Sequence, residues 1–210
     1  MIPQKLRILT VDDHPMLREG IASVLDGQPD MEVVAEAQDG MEAIEVCLRI
    51  RPDVTLMDIQ MPGMDGIDAT EAIRKSWPEA RIVIVTTYKG DAQARRALEA
   101  GACGYLLKSA LRHELIETIR QIHSGKRHVP LAVAREVAEH CQETALSKRE
   151  IEVLGLVAFG NANREVGNLL RITEDTVKAH MKAILLKLRA NDRTHAVTLA
   201  IQRGFINLMK

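Results

Sequence analysis

Apolar positions along the first 124 residues come in two alternating rhythms. Short continuous runs, Leu6–Val11, Val33–Ala35, Val54–Asp58, Arg81–Thr86 and Gly104–Lys108, have the length and composition of strands. Between them apolar residues recur three and four apart, as on one face of a helix. Leu17, Ile21, Val24 and Leu25 form one such face, Ala43, Ile44, Cys47 and Leu48 a second, and Ala94, Ala97 and Leu98 another. Two further helices are predicted from about Asp65 to Ser76, stopping before Pro78, and from Leu111 to about Ser124, closed by Gly125. Five strand and helix pairs joined by short connections predict a parallel sheet covered by helices on both faces.

The strand rhythm ends at residue 124. Residues 125–145 read as a linker, with Gly125 and Pro130 interrupting the pattern and a short helix carrying Val133, Val137 and His140. From Leu146 only helical periods remain. Ile151, Leu154 and Val157 mark a helix that stops at Gly160, and Val166, Leu169 and Leu170 mark a short second one. Thr173 opens a third with Val177, Met181, Ile184, Leu185 and Leu188 inward. Asp192 opens a fourth carrying Ala196, Val197, Ala200 and Ile201, with Gly204 as its C-cap. The division is therefore 1–124, 125–145 and 146–210: an α/β domain, a linker and a smaller all-α domain.

Charge sharpens that division. The formal net charge is −1, but residues 1–124 hold 14 Lys and Arg against 20 Asp and Glu, and residues 125–210 hold 14 against 9. The two halves thus carry −6 and +5, which suggests different partners for each. No apolar run approaches the roughly 18 residues of a membrane span, and no signal-peptide pattern opens the chain. Cys47, Cys103 and Cys141 lack metal-type spacing and read as buried thiols of a reduced, cytoplasmic protein with no membrane partner.

Candidate chemistry gathers where the strands end. In a parallel sheet the carboxyl ends of strands one, three, four and five share one edge, which presents Asp12, Asp13, Asp58, Thr86 and Lys108 together. Asp58 closes an apolar run and is followed by turn residues Met61-Pro62-Gly63, so its carboxylate is delivered to a loop mouth. Three crowded carboxylates repel and call for a cation, and all-oxygen ligands suit Mg²⁺. A hydroxyl and an ammonium opposite them suit an incoming phosphoryl group. A carboxylate nucleophile beside Mg²⁺ is the chemistry of an aspartyl phosphate. His14 reads as a helix-entry residue and is assigned no role.

Val11-Asp12-Asp13-His14, Met57-Asp58, Met61-Pro62-Gly63-Met64-Asp65-Gly66, Thr86, and Gly101-Ala102 through Lys108 together resemble a response-regulator receiver domain over residues 5–124. The resemblance implies a flavodoxin-like, doubly wound five-stranded sheet in the order 2-1-3-4-5. It implies Asp58 as phosphoacceptor, and Mg²⁺ held by Asp12, Asp13, Asp58 and the backbone carbonyl of Gln60. Thr86 would bind the phosphoryl oxygens, Lys108 would pair with them, and Tyr105 would turn inward on activation. The side chains of Gln60 and Tyr88, two residues beyond Asp58 and Thr86, would lie across the path of attacking water.

In the basic half, helix, short helix, turn and helix is the layout of a helix-turn-helix, whose second element enters the major groove. Lys178 and Lys182 are four apart and share a face. Leu146-Ser147-Lys148-Arg149-Glu150, Asn163-Arg164-Glu165, Thr176-Val177-Lys178-Ala179-His180, Lys187-Leu188 and Asp192-Arg193 resemble the LuxR-type DNA-binding domain of NarL/FixJ-type regulators. Thr176, Val177, Lys178 and Lys182 are the expected DNA-contacting residues. Ala162 stands where that family usually has Ser or Thr, and Gly167 where it usually has Ala. Both are expected to cost helix stability unless Gly167 serves a close approach of backbone.

These readings converge on a transcriptional response regulator. A sensor histidine kinase would phosphorylate Asp58, and a homodimer would then bind double-stranded DNA. It would not be an enzyme beyond self-phosphorylation from small donors and autodephosphorylation. The rival is a Mg²⁺-dependent phosphohydrolase with an aspartate nucleophile. Such enzymes, by resemblance, carry nucleophile and acid partner two residues apart on the first strand, and a DNA-binding half has no place among them. A second rival, a regulator that never needs phosphate, sits poorly with an intact acid pocket.

Overall fold

The computed structural model describes residues 5–87, 90–139 and 146–206. Compact packing divides the chain into two units, one of residues 1–89 and 94–134, the other of residues 90–93 and 135–210.

The first unit is the predicted α/β fold. Strands β1 (Leu6–Val11), β2 (Met31–Ala37), β3 (Val54–Asp58), β4 (Ile82–Thr86) and β5 (Gly104–Leu107) form one parallel sheet in the order β2-β1-β3-β4-β5. Helices α1 (Pro15–Asp26), α2 (Gly40–Ile50), α3 (Gly66–Ser76), α4 (Asp91–Glu99) and α5 (Leu111–His123) alternate with them, and a 3₁₀ turn at Lys108–Ala110 leads into α5. Every residue of β3, β4 and β5 is buried, as in a sheet covered on both sides. On one face Ile8, Val54, Leu56, Val83, Val85 and Leu106 pack with Ile21 and Leu25 of α1 and Leu115, Ile119 and Ile122 of α5. On the other, Cys47 of α2 meets Thr55, Sγ to Oγ1 at 3.6 Å. Successive strand residues point to opposite faces, so neighbouring positions feed two separate layers.

Asp39 and Asp65 cap α2 and α3 by accepting from the backbone N–H three residues on, at 2.9 and 2.7 Å. Pro15 opens α1 at its first position, where its missing N–H costs nothing. Beyond α5 the chain turns back along β5. The His128 carbonyl accepts from Tyr105 N–H at 2.8 Å, and His128 N–H donates to the Cys103 carbonyl at 3.2 Å, a parallel bridge at Gly104. The predicted linker helix is α6 (Leu131–Glu139); His140 and Cys141 lie outside the described residues.

In the second unit, helices α7 (Lys148–Ala158), α8 (Asn163–Leu170), α9 (Glu174–Leu188) and α10 (Arg193–Gln202) enclose a core of Leu146, Val153, Leu154, Val157, Val166, Val177, Met181, Ile184, Leu188, Ala196 and Ala200. Ser147 and Glu150 form a reciprocal capping box at the start of α7, and Glu150 also takes Lys187 of α9 at 2.7 Å. The α8 start keeps half of such a box. Glu165 accepts from Ala162 N–H at 2.6 Å, while Ala162 offers no acceptor in return. Asn163 does not substitute as cap, because its Oδ1 accepts from Arg193.

Two expectations are corrected. Leu169 faces outward and is 60% exposed, since an eight-residue helix buries only one narrow stripe. Gly167 is not a mere weakness in α8. A Cβ there would lie 2.8 Å from the Ile172 carbonyl oxygen, and Ile172 N–H donates back to the Gly167 carbonyl at 2.9 Å. The chain folds over Gly167 to make the turn into α9, so close approach of backbone is the reason for glycine.

Candidate functional site

Sheet register decides which side chains meet. Val11 lies opposite Met57, Asp58 opposite Val85, and Thr86 opposite Leu107. Asp12, Asp58, Thr86 and Lys108 therefore fall within one residue of the same level at the carboxyl ends of four neighbouring strands. Lys108 closes the arrangement, with Nζ at 2.7 Å from Asp12 Oδ2 and 2.9 Å from Asp58 Oδ2. Asp12, Asp58 and Thr86 are buried, and Asp13 is half-buried beside them. The loop after β3 stays close to the acid because Gly66 has no side chain. A Cβ at that position would lie 1.8 Å from the Asp58 carbonyl oxygen.

Burial pushes the Asp58 carboxyl up to about 6; the Lys108 ammonium pulls the other way, and Asp12 adds to the rise. The Gln60 N–H donates to the Asp58 carboxylate. Burial also opposes the charge on Lys108, but its contacts with Asp12 and Asp58 outweigh it and hold its pKa above the usual lysine value. Asp13 Oδ1 is buried without a well-aligned hydrogen-bond donor, and Asp12 Oδ2 has only the Lys108 ammonium beside it. Buried acceptors of this kind, in a group of three carboxylates, fit a hard divalent cation.

Two contributors were not singled out from sequence. Arg18 of α1 donates to the Asp12 backbone carbonyl at 2.6 Å and pairs with Glu36 of β2 at 2.8 Å. His14 places Nδ1 at 2.6 Å from Asp13 Oδ1 and 3.1 Å from Asp12 Oδ1. Helical spacing alone gives Arg18 no distinction, whereas the adjacency of His14 to two acids was a usable signal. Tyr105 is wholly buried in β5. Tyr88 lies outside the described residues.

The second candidate surface is on α9. Thr173 caps the helix, accepting from Thr176 N–H at 3.2 Å. Thr176, Lys178 and Lys182 are exposed. Lys178 meets Glu174 at 3.0 Å and Asp175 at 3.2 Å, and these contacts raise its pKa. Val177 is corrected: it is wholly buried in the helical core, on the same stripe as Met181 and Ile184, so its side chain cannot reach a nucleic acid. Lys187, on another side of α9, is committed to Glu150.

Comparison with known proteins decides what this pairing of units is. Residues 8–120 match the response regulator receiver domain family, and residues 144–200 match the luxR family of bacterial regulatory proteins. The chain belongs to the response regulators. It is 40% identical over 210 residues to the transcriptional regulatory protein LiaR of Bacillus subtilis, covering 96% of this chain and 100% of that one. The response regulator protein VraR of Staphylococcus saprophyticus is 38% identical over 206 residues, covering 96% and 99%. Among solved structures, the response regulator ChrA of a heme-sensing two-component system aligns with a TM-score of 0.57 at 40% identity, covering 96% of this chain and 99% of that one. RcsB from Salmonella enterica serovar Typhimurium, bound to a promoter in the presence of the phosphomimetic BeF₃⁻, aligns with a TM-score of 0.69 at 25% identity, covering 93% and 98%. A response regulator with a receiver and a LuxR-type DNA-binding domain is a transcriptional regulator, and the phosphohydrolase reading falls away. Among the described residues no helix is long and apolar enough to cross a membrane.

Proposed function

We propose that Asp58 is the phosphoacceptor of this response regulator and that its phosphorylation controls DNA binding through α9. The supporting observation is the buried cluster in which Lys108 bridges Asp12 and Asp58 at 2.7 and 2.9 Å. An Asp58 carboxylate oxygen attacks the phosphorus of a phosphohistidine on a sensor kinase. A P–O bond forms, the P–N bond breaks, and the imidazole leaves. Asp12, Asp13, Asp58 and the Gln60 carbonyl would hold Mg²⁺, which supplies charge neutralisation at the transferred group. Lys108 then exchanges a carboxylate partner for a phosphoryl oxygen, and Thr86 offers its hydroxyl to another. The added dianion biases the surface around β4 and β5, beneath which the Tyr105 ring is already turned inward.

Division at 1–124, 125–145 and 146–210 fits this reading, as do a cytoplasmic location, self-phosphorylation from small donors, autodephosphorylation and a phosphorylated homodimer on two half-sites. Thr176, Lys178 and Lys182 of α9 would touch DNA. The test is labelling by acetyl phosphate with Mg²⁺. One acid-labile, hydroxylamine-sensitive phosphate should be added per chain and be lost in Asp58→Asn. Undiminished labelling of that variant would place the chemistry elsewhere.

A further inference from the structure

We propose that His14 is a nitrogen ligand of the receiver's cation site, so that its imidazole selectively strengthens the binding of divalent transition metals there. The inference rests on the acid-pocket reading above and extends it. One ligand atom each from Asp12, Asp13, His14 and Asp58 all lie within 4.8 Å of one another. His14 Nδ1 is 2.6 Å from Asp13 Oδ1 and 3.1 Å from Asp12 Oδ1, close to the separations of neighbouring donors around one ion at roughly 2.1 Å. The 3.1 Å contact with Asp12 Oδ1 is a hydrogen bond when Nδ1 carries its proton, which an incoming ion would displace. The 2.6 Å contact is not an aligned hydrogen bond, and Asp13 Oδ1 stays buried without a donor. Two donor atoms held this close, with no well-placed proton between them, are suited to share a cation.

His14 is also held in place before any ion arrives. Its backbone N–H donates to Asp12 Oδ1 at 2.9 Å, and Pro15 follows it at the first position of α1. Both restraints act on the backbone that carries the ring, which lowers the entropy lost on ligation. The imidazole is 69% exposed while Asp12 and Asp58 are buried. The carboxylates therefore form the floor of the site and His14 its solvent-facing rim.

Ligand chemistry makes the consequence specific. Carboxylates and carbonyls suit Mg²⁺, whereas imidazole suits Ni²⁺, Zn²⁺, Fe²⁺ and Cu²⁺. Loss of His14 should thus discriminate between metals, which a general structural role would not do.

The experiment uses the full-length, tag-free chain stripped of metal, with Ni²⁺ and Mg²⁺ affinities measured by calorimetry. His14→Ala, and His14→Gln as a second variant of matched melting temperature, should each weaken Ni²⁺ binding at least tenfold and change Mg²⁺ affinity less than threefold. Pulsed electron paramagnetic resonance of Mn²⁺ at the site should show a ¹⁴N coupling that both variants lose. Equal Ni²⁺ affinity in the variants, or no ¹⁴N coupling in the parent chain, would overturn the proposal and leave the carboxylate site standing. Asp58→Asn should weaken Mg²⁺ and Ni²⁺ alike. Unchanged affinity for both would overturn the acid pocket as the cation site, and with it the role of His14.

Discussion

Lys108 and Lys178 have the same local company, one ammonium touching two carboxylates, and opposite surroundings. Lys108 sits among Asp12 and Asp58 with 15% of its side chain exposed, and Lys178 sits among Glu174 and Asp175 with 55% exposed. In the pocket, solvent cannot replace a lost partner, so the charges are interdependent and a new dianion must redistribute them. On α9, water and salt already compete for each contact, so Lys178 can exchange its carboxylates for a nucleic-acid phosphate at little expense. On the function proposed above, burial alone would make one motif a switch and the other a docking surface.

The largest effect that could break this comparison is Lys108→Met. Removing one partner from a buried ion pair typically costs about 3–5 kcal/mol. Denaturant unfolding of the metal-free chain should show a loss of that order in the receiver transition. A loss no greater than that for Lys178→Ala would erase the distinction.

Next comes the pH dependence carried by Asp58. Its folded pKa is raised to about 6 from an ordinary value of 3.8. Between those values the folded state binds more protons than the unfolded chain, so this group makes stability fall as pH rises through that window. Above about 6 the penalty is complete, on the order of 2–3 kcal/mol. Asp58→Asn should flatten the metal-free stability profile between pH 4 and 6; a slope as steep as the parent's would assign it to another group.

Gly167→Ala comes third and tests packing in the helical unit without touching either lysine. A methyl group 2.8 Å from the Ile172 carbonyl forces the α8–α9 turn to shift, and overpacking of this sort costs roughly 1–3 kcal/mol. A lower melting temperature for the helical transition of the full chain is expected. A rise would restore the simpler propensity argument.

The smallest stability effect belongs to the exposed lysines. Lys178→Ala and Lys182→Ala should leave thermal unfolding unchanged, yet each should lower the salt slope of DNA binding by about one unit. An unaltered slope for both would remove this face of α9 from the DNA interface.

The five strands were legible because each is a short apolar run, and the acids because a parallel sheet gathers its strand ends. Asp12, Asp58 and Lys108 could be grouped from that topology, though their 2.7 and 2.9 Å contacts could not. What escaped depended on how the backbone returns on itself. Gly167 reads as a weak helix residue until the Ile172 carbonyl is seen above it. Val177 is different: helical period already turns it inward, the resemblance makes it a contact, and the structure agrees with the period while Thr176 and Lys178 stay outside. His128 joins β5 through two backbone bonds that no side-chain pattern encodes.

That short bridge has a colloidal consequence. A border strand with unpaired amides is a template for pairing with another molecule, and proteins survive by covering or blunting it. At the β5 border, Tyr105 N–H and the Cys103 carbonyl are already engaged by His128. At the opposite border, Glu32 and Glu36 of β2 are exposed, Glu36 paired with Arg18, so charged side chains stand where a second copy would have to add. A chain cut after residue 124 keeps the charged border but loses the two His128 bonds that cover the other.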